Sequence, residues 1–474
     1  MGSFTFKKWN TILGWFVFSI ALVTYWSTVE PTASFWDAGE YITTASNLEV
    51  GHPPGAPLYQ LMGAFFSIFA MEATNIALTI NLMSVFASAF TILFMFWSVT
   101  ILLSNLVKKN DTFTKNNQIA ILGSAVVASL TFAFTDSFWY SAVEAEVYAM
   151  AAFIMSVLFY AGLRWEGEMF TPRGDKWVVL IAFVIGLSFG VHFMGLLTIP
   201  AIGFLYFFKN YNKVTVKNFL IANVVTVAIL LFIFKLLLPM TLRFFSAAEI
   251  FFVNQINMPF NSGTIIAGLL FLAVFYFGLR YTRSKSFVKL NTLLLCVLFI
   301  FIGFSSWLML PIRANAGTVI NENNPNNARE LLAYYNREQY PETHLFYGPL
   351  FTEAYVGLDK DNPFLDDKPK YEKDLNAKKY VIVNDIQNAK QNFEDNQKAF
   401  LPRMWSLEHN ANYMEITGAV DFEIKNEYRS EQLLVDEVAK FRQAYDKGLV
   451  DSEDYDKFLK NFGDYLDIEK PGFI

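Results

Sequence analysis

Cysteine, histidine and charge are all scarce in this chain. Of its 474 residues one is a cysteine, Cys296, and four are histidines that stand far apart. A single cysteine excludes an intrachain disulfide and any Cys-x-x-Cys metal site, and the dispersed histidines argue against a histidine-rich one. Charged residues make up 17% of the chain, whereas soluble domains carry about 25%. The sequence also has no glycine-rich phosphate loop, no Gly-x-Ser-x-Gly motif and no internal repeat, and we predict no nucleic-acid partner.

Apolar sequence dominates instead. Hydrophobic residues make up 54% of the chain, which includes 50 phenylalanines. Apolar runs of near-spanning length predict an all-α polytopic membrane protein embedded in a lipid bilayer. The first run lacks a small-residue cleavage site, so we interpret it as an uncleaved span. We predict about nine transmembrane helices, at residues 10–30, 75–104, 118–135, 146–164, 177–193, 194–208, 218–239, 263–279 and 290–311.

Loop charges predict the orientation. If the short apolar stretch 56–71 does not cross the membrane, the loops on one side hold the basic residues, beginning with Lys7 and Lys8. The loops on the other side are acidic, with no lysine or arginine before Arg243. Because basic residues concentrate in cytoplasmic loops, we place the N-terminus inside. The loop 30–74 is then outside, and 56–71 forms an interfacial helix within it.

The composition changes after Pro311. Residues 312–474 are rich in Asn, Asp, Glu, Lys and Tyr, and the topology places them outside. We predict a transmembrane domain at 1–311 and a mixed, mainly helical extracytoplasmic region at 312–474. Within that region we expect a strand at 378–383 and a helical hairpin at 429–462. No closing element precedes the final PGFI, which favours the front part of a longer protein.

The stretch 34–60, SFWDAGEYITTASNLEVGHPPGAPLYQ, concentrates ionisable residues between apolar segments. If its first part is helical, Asp37, Glu40 and Tyr41 project from one face. Proline and glycine around His52 then predict an extended turn. Ionisable groups at a membrane boundary are costly, so we predict a functional site here. The alternative is a solvated loop that caps a helix and turns the chain.

Two further groups of ionisable residues fall at the same boundary. Glu144 and Glu146 are two residues apart, so on a helix one would face a site while the other caps or is solvated. The other group is basic and comprises Lys235, Arg243 and Arg313. Arg313 suits a phosphate because guanidinium offers a planar fork of donors. Lys235 has the alternative of reaching for the membrane surface.

His192 lies in GVHFMG, between two short predicted spans. It is a candidate for substrate binding, but we favour a structural role in which it bonds to backbone groups freed by the turn. Carboxylates and a cation at one membrane surface form a usable site. The cation can hold the phosphate of a lipid-linked substrate, and a carboxylate can take the proton from an attacking hydroxyl.

FWDAGEY followed by GHPPGAPLYQ resembles the first outer loop of the GT-C membrane glycosyltransferases, and the closest branches are the protein O-mannosyltransferases and the lipid A aminoarabinose transferases. In those enzymes an Asp-containing motif, a (H/K)PP motif and an interfacial helix follow the first span. The wider pattern, with WYSAVEAEVY, GVHFMGLLTIP and LPIRA, also resembles a bacterial polytopic family of unknown function. The resemblance covers about residues 1–340. The mannosyltransferases usually have adjacent Asp and Glu, whereas Ala38 and Gly39 separate them here.

The resemblance implies inverting transfer of a sugar from a polyprenyl-phosphate donor to a hydroxyl on an extracytoplasmic protein or glycan acceptor. It implies a bacterial cytoplasmic (inner) membrane, with residues after 311 on the periplasmic side. Asp37 would be the base, with Glu40 or Glu144 orienting the acceptor. No cofactor is required, although carboxylates and a phosphate could hold Mg²⁺ or Mn²⁺. The expected substrate-binding residues are Tyr41, His52, Glu146, His192, Lys235, Arg243 and Arg313.

Two other functions stay open at this point. A transporter usually places coupling carboxylates near the bilayer midplane, on interrupted helices in repeated halves. Here the ionisable groups lie at the outer edge, which disfavours it. The other alternative is a non-catalytic membrane anchor or assembly subunit whose outer domain binds a partner.

Overall fold

The computed structural model describes residues 5–110, 113–211, 213–340, 344–365, 369–384, 390–393 and 397–471. The chain divides into two compact units, Met1–Gln339 and Tyr340–Ile474. Residues 312–339, which composition groups with the outer region, therefore fold with the membrane unit. The final residues of the PGFI sequence, 472–474, lie outside the described part.

The first unit is built from helices, as predicted. Fifteen α-helices occur among its described residues: α1 Phe6–Ser27, α2 Ala38–Asn47, α3 Pro57–Ser67, α4 Ile76–Asn110, α5 Lys115–Ala133, α6 Asp136–Ala142, α7 Val147–Glu168, α8 Asp175–Ser188, α9 Thr198–Asn210, α10 Val216–Leu231, α11 Leu238–Ile250, α12 Ser262–Ser284, α13 Val288–Phe304, α14 Met309–Ala314 and α15 Ala328–Asn336. Short polar side chains cap several of them. Thr215, for example, accepts a hydrogen bond from the Asn218 amide, and the Asn218 side chain accepts one of 2.7 Å from the Thr215 amide.

Eight helical segments in the described part of the chain are long and apolar enough to cross a membrane. The predicted fold class, a polytopic helical membrane protein, is therefore confirmed. The fifth predicted span, 177–193, is not among the eight; it corresponds to α8, which has 14 residues. Such a helix is about 21 Å long, whereas the hydrocarbon core of a bilayer is about 30 Å thick. The helix α3 has 11 residues, which is too short to cross and fits an interfacial helix.

Two hydrophobic clusters hold the membrane unit together. One joins α1, α4 and α5, and within it the hydroxyl of Tyr25 donates a 2.8 Å hydrogen bond to the Ala133 carbonyl. The other joins the short helices α2 and α3 to α7, α8, α14 and α15. There the indole of Trp307 donates to the Phe189 carbonyl at 2.9 Å. The second cluster thus anchors the predicted outer-loop helices to the spans.

The helical segment Val216–Gln255 runs for 40 residues, or about 60 Å, and passes well beyond the predicted span 218–239. It contains two π-helical stretches, Phe232–Leu237 and Phe251–Gln255. Pro239 follows the first stretch; its ring would clash with a carbonyl of a regular α-turn, and the wider π-turn accommodates it. The hydroxyl of Tyr335, on α15, donates to the Phe234 carbonyl at 2.8 Å.

The second unit is a mixture of short strands and helices. Its helices are α16 Asn410–Thr417, α17 Gln432–Asp446 and α18 Ser452–Phe462; its strands are β1 Tyr347–Pro349, β2 Phe364–Leu365, β3 Lys370–Asp374, β4 Lys379–Asn384, β5 Lys390–Gln391, β6 Lys398–Phe400, β7 Phe422–Ile424 and β8 Leu466–Ile468. The strands pair antiparallel as β1–β6, β2–β5, β3–β4 and β7–β8. The strand predicted at 378–383 is β4. The rings of Phe441 and Phe458, on α17 and α18, stack at 3.6 Å, as the predicted hairpin requires.

Candidate active site

Asp37 and Glu40 stand at the N-terminal end of α2. Asp37 precedes the helix with helical dihedral angles, and its carbonyl accepts the Tyr41 amide at 2.9 Å. The spacing of three residues therefore directs both carboxylates to the same side. The Asp37 side chain is 58% exposed and makes no capping hydrogen bond. The capping alternative for Asp37 thus has no hydrogen bond to support it.

His52 lies between these two carboxylates. Its backbone amide donates to Oε1 of Glu40 at 2.7 Å, and its Nδ1 is 3.0 Å from Oε2 of the same carboxylate. On the other side its Nε2 is 3.8 Å from Oδ2 of Asp37. The hydrogen bond to Glu40, followed by the charges of Glu40 and Asp37, raises the pKa of His52. Burial opposes the effect on Glu40, but the contacts with His52 lower the pKa of its carboxyl.

The turn after α2 brings the backbone close to Glu40. A Cβ added to Gly51 would lie 2.6 Å from Oε1 of Glu40, so a side chain at this position would displace the carboxylate. The Pro53–Pro54 peptide bond is cis, and Gly55 has a positive φ of 68°. Pro57 then occupies the first turn of α3, where a missing N–H costs nothing. The Gly190 carbonyl accepts hydrogen bonds from the amides of Leu58 and Tyr59 at 2.7 and 3.1 Å.

The second acidic pair does not lie within a helix, and neither carboxylate caps one or is solvated as the spacing suggested. Glu146 is buried at the start of α7. Burial and the negative charges of Asp37 and Glu144 raise its pKa to about 7. Glu144 is also buried, and its pKa is raised by burial and by the charge of Glu30. Glu146, rather than Glu144, therefore shares an electrostatic environment with Asp37.

Tyr41 packs between the acidic cluster and the core. Its ring is 5.7 Å from the His52 ring and 5.3 Å from that of Tyr59, centroid to centroid. Burial, followed by the charges of Glu146 and Asp37, raises the pKa of the Tyr41 hydroxyl. The Tyr41 side chain is therefore uncharged and lies beside Asp37, Glu40, His52 and Glu146. We call these four residues the acidic site.

His192 adopts the structural geometry favoured from the sequence. Its Nδ1 accepts the Met194 amide at 3.1 Å, which caps the short 3₁₀ helix Phe193–Leu197. Its ring also contacts that of Tyr148 at 5.6 Å. Burial and the positive charge of Arg337 lower the pKa of His192. Arg337 is a cation that the sequence analysis did not single out.

The predicted phosphate-binding cations occupy different environments. Arg313 is half-buried, and it donates from Nε to the Leu48 carbonyl at 2.5 Å and from Nη2 to the Asn47 carbonyl at 3.3 Å. Lys235 and Arg243 are exposed and form no ion pair with any residue that the structure describes. The Nζ of Lys235 lies 4.8 Å from the centroid of the Phe234 ring.

The segment after the last span also shapes the site, which local sequence patterns did not reveal. Val50 pairs with this segment: its amide donates to the Ile320 carbonyl at 3.1 Å, and its own carbonyl accepts the Glu322 amide at 3.0 Å. The hydroxyl of Tyr334, on α15, donates to the Gly51 carbonyl. The helix α15 buries Leu331, Leu332, Tyr334 and Tyr335, but no local pattern shows which loop they meet.

The ligand atoms of Asp37, Glu40 and His52 all lie within 4.8 Å of one another. Two carboxylates and one imidazole form a donor set that a divalent cation accepts. Because Nδ1 of His52 faces Glu40, Nε2 is the ring nitrogen left for an ion.

The fold and the acidic site define a polytopic membrane protein with an ionisable loop after its first span. Residues 37–215 match the model of the N-terminal domain of protein O-mannosyl-transferase TMEM260. The matched segment begins at Asp37 and includes the whole acidic site. Residues 341–474 match a family of unknown function, DUF8416. No solved structure matches the chain significantly.

Two curated relatives carry the same name. Protein O-mannosyl-transferase tmem260 of Dictyostelium discoideum is 23% identical over 209 residues, which are 42% of this chain and 23% of the relative. Protein O-mannosyl-transferase TMEM260 of Mus musculus is 26% identical over 172 residues, which are 36% of this chain and 22% of the relative. The alignments thus span less than a quarter of these relatives' lengths. The predicted resemblance to protein O-mannosyltransferases is confirmed as distant homology, and it supports a membrane glycosyltransferase at the family level.

Proposed function

We propose that this protein is a GT-C-type membrane glycosyltransferase that moves a sugar from a polyprenyl-phosphate donor to a hydroxyl on an extracytoplasmic protein or glycan. The names of its relatives favour mannose as the sugar and protein as the acceptor. The observation that carries the proposal is the exposed carboxylate of Asp37 beside His52 and Glu146, within the segment that matches protein O-mannosyltransferases.

Asp37 is the general base in this proposal. Its exposed carboxylate takes the proton of the acceptor hydroxyl, and the hydroxyl oxygen attacks the anomeric carbon. The bond from that carbon to the phosphate oxygen breaks, and its electron pair leaves on the polyprenyl phosphate. Attack from the face opposite the phosphate inverts the anomeric configuration.

The neighbouring carboxylates take different parts. Both oxygens of Glu40 are engaged by His52, so Glu40 holds the imidazole beside Asp37. Glu146 carries a pKa of about 7, so near neutral pH it is protonated in part and can donate to or accept from the acceptor. We therefore place acceptor orientation on Glu146 in preference to Glu144.

Lys235 and Arg243 supply positive charge for the leaving phosphate. Both are exposed on the long helical segment: Lys235 lies within the π-helical stretch that Tyr335 contacts, and Arg243 follows on α11. A phosphate anion gains most from cations that have no carboxylate partner, and these two have none among the described residues. His192, with its Nδ1 committed to the backbone, could reach substrate through Nε2 alone.

A divalent cation, Mg²⁺ or Mn²⁺, is a further proposal for the acidic site. Bound by Asp37, Glu40 and His52, it would supply positive charge near the donor phosphate. The imidazole favours Mn²⁺ over Mg²⁺. If the site binds the ion, Mn²⁺ should raise the melting temperature of the purified protein, and Asp37→Ala should abolish that rise. An equal rise in both proteins would place the ion elsewhere.

Transfer from radiolabelled polyprenyl-phosphate mannose to an acceptor hydroxyl tests the enzyme directly. The purified full chain in lipid nanodiscs should move label to a serine- or threonine-containing acceptor, with inversion. A folded protein that moves no label from this or other polyprenyl-phosphate sugars would instead favour the membrane anchor.

The location is proposed with the function. Loop charges favour an inside N-terminus and an acidic site on the outer face of the membrane. The sequence resemblance to the bacterial family implies that this is the bacterial cytoplasmic membrane. Residues after 311 would then be periplasmic, on the side where an extracytoplasmic acceptor is found.

A further inference from the structure

Arg313 lies far from α2 in sequence but binds the end of that helix. Its Nε and Nη2 donate to the carbonyls of Leu48 and Asn47, a contact between residues 265 apart. Asn47 is the last residue of α2, and Leu48 caps it with a left-handed φ of 50°. These carbonyls have no partner within the helix because its last turn ends there.

A guanidinium suits this position for two reasons. Its planar fork can serve both carbonyls at once, whereas an ammonium offers a single point of charge. Its positive charge also interacts favourably with the negative end of the helix dipole. With Nε and Nη2 engaged by the backbone, this edge of the guanidinium is already occupied and is not open to a phosphate.

The other end of α2 carries the acidic site. The helix has ten residues, so it is about 15 Å long. A change in its tilt at Asn47 therefore moves Asp37 and Glu40 relative to His52. Two more contacts fix the next residues: Val50 pairs with Ile320 and Glu322, and Tyr334 binds Gly51. Arg313 thus begins a segment, 313–334, that holds residues 47–51 at three places.

We propose that Arg313 is a positioning residue, which holds the C-terminal end of α2 so that Asp37 and Glu40 meet His52 in the productive arrangement. This inference rests on the proposed transferase function, and it replaces the phosphate-binding role that the sequence suggests for Arg313. Phosphate binding then falls to the exposed cations Lys235 and Arg243.

The test compares Arg313→Ala and Arg313→Lys with wild type in rate, donor affinity and amide exchange. A misplacement of about 1 Å can cost about 10²-fold in rate, so Arg313→Ala should lower kcat by about 10–100-fold. The donor Kd should stay within about twofold, since no phosphate contact is lost. Arg313→Lys should recover part of the rate. Lys285→Ala, which removes an exposed cation from the loop between α12 and α13, should match wild type.

Hydrogen exchange gives a readout that does not need activity. The amides of Leu48, Glu49 and Val50 should exchange faster in Arg313→Ala than in wild type or Lys285→Ala. Unchanged exchange would overturn the inference. So would a donor Kd weakened about tenfold with kcat preserved, because that result assigns Arg313 to the phosphate. A wild-type protein without transferase activity would end the proposed function, whereas the exchange measurement would still decide whether Arg313 holds α2.

Discussion

The Asp37 carboxylate is 58% exposed and makes no capping hydrogen bond. Asp37→Asn keeps its shape but removes the proton acceptor. We expect the transfer rate to fall by about 10²–10⁴-fold, the usual cost of losing a general base, with donor affinity and melting temperature nearly unchanged. Asp136→Asn, at an exposed carboxylate that begins α6, is the matched control and should keep wild-type activity. Full activity in Asp37→Asn would remove Asp37 from the chemistry.

Glu146 gives the stability of the protein a pH dependence. Its pKa is about 7 in the fold and 4.5 in the reference state, so between these values the folded protein binds more protons than the unfolded chain. The stabilisation by protonated Glu146 is full below pH 4.5 and is lost as pH rises through about 7. The melting temperature of wild type should therefore fall further between pH 5 and pH 8 than that of Glu146→Gln.

The control for this comparison is Glu72→Gln, at an exposed carboxylate of the outer loop 30–74. The melting temperature of this control should fall as far as that of wild type over the same pH range. A Glu146→Gln variant with the wild-type pH profile would show that Glu146 is ionised throughout, and it would then be an unsuitable donor to the acceptor hydroxyl.

At the scale of elements, the turn after α2 depends on glycine at one position. Gly51→Ala would push a methyl group against Oε1 of Glu40, so the carboxylate must leave His52. We expect this variant to lose activity by about 10-fold or more, as misplacement at a catalytic site does, and to melt at a lower temperature. Gly39→Ala is the matched control, because a Cβ there meets nothing within 4 Å. It should be active and equally or more stable, since alanine favours a helix. Equal behaviour of the two variants would mean that Gly51 is not a packing constraint.

Local patterns were enough to predict many elements. The apolar runs placed the spans, because a bilayer demands continuous hydrophobic length. Spacing alone put Asp37 and Glu40 on one face, and proline and glycine predicted the turn at His52. Other features depend on contacts between distant residues. Neither the binding of Arg313 to Leu48 nor that of Tyr334 to Gly51 leaves a trace in the local sequence, and the π-turn before Pro239 depends on how the helix packs.

At the scale of the whole molecule, the orientation is open to labelling. In a Cys296→Ser background, Ser430→Cys in the second unit should react with an impermeant thiol reagent in intact cells. Ser284→Cys, at the end of α12, should react only after permeabilisation. Both serines are exposed in their own units, so a difference in labelling would not result from burial of either position. The reverse labelling would put Asp37 on the cytoplasmic side.

The contacts between segment 313–334 and residues 47–51 have a consequence for the synthesis of the chain. Ribosomes add about 5–20 residues per second, so Arg313 emerges roughly 13–53 s after its partner Leu48, 265 residues earlier. During that interval the growing chain has its first helices and the carboxylates of the acidic site, but the C-terminal end of α2 lacks its contacts with segment 313–334. If the proposed function holds, a nascent chain would therefore lack the productive arrangement of the acidic site until segment 313–334 has been synthesised.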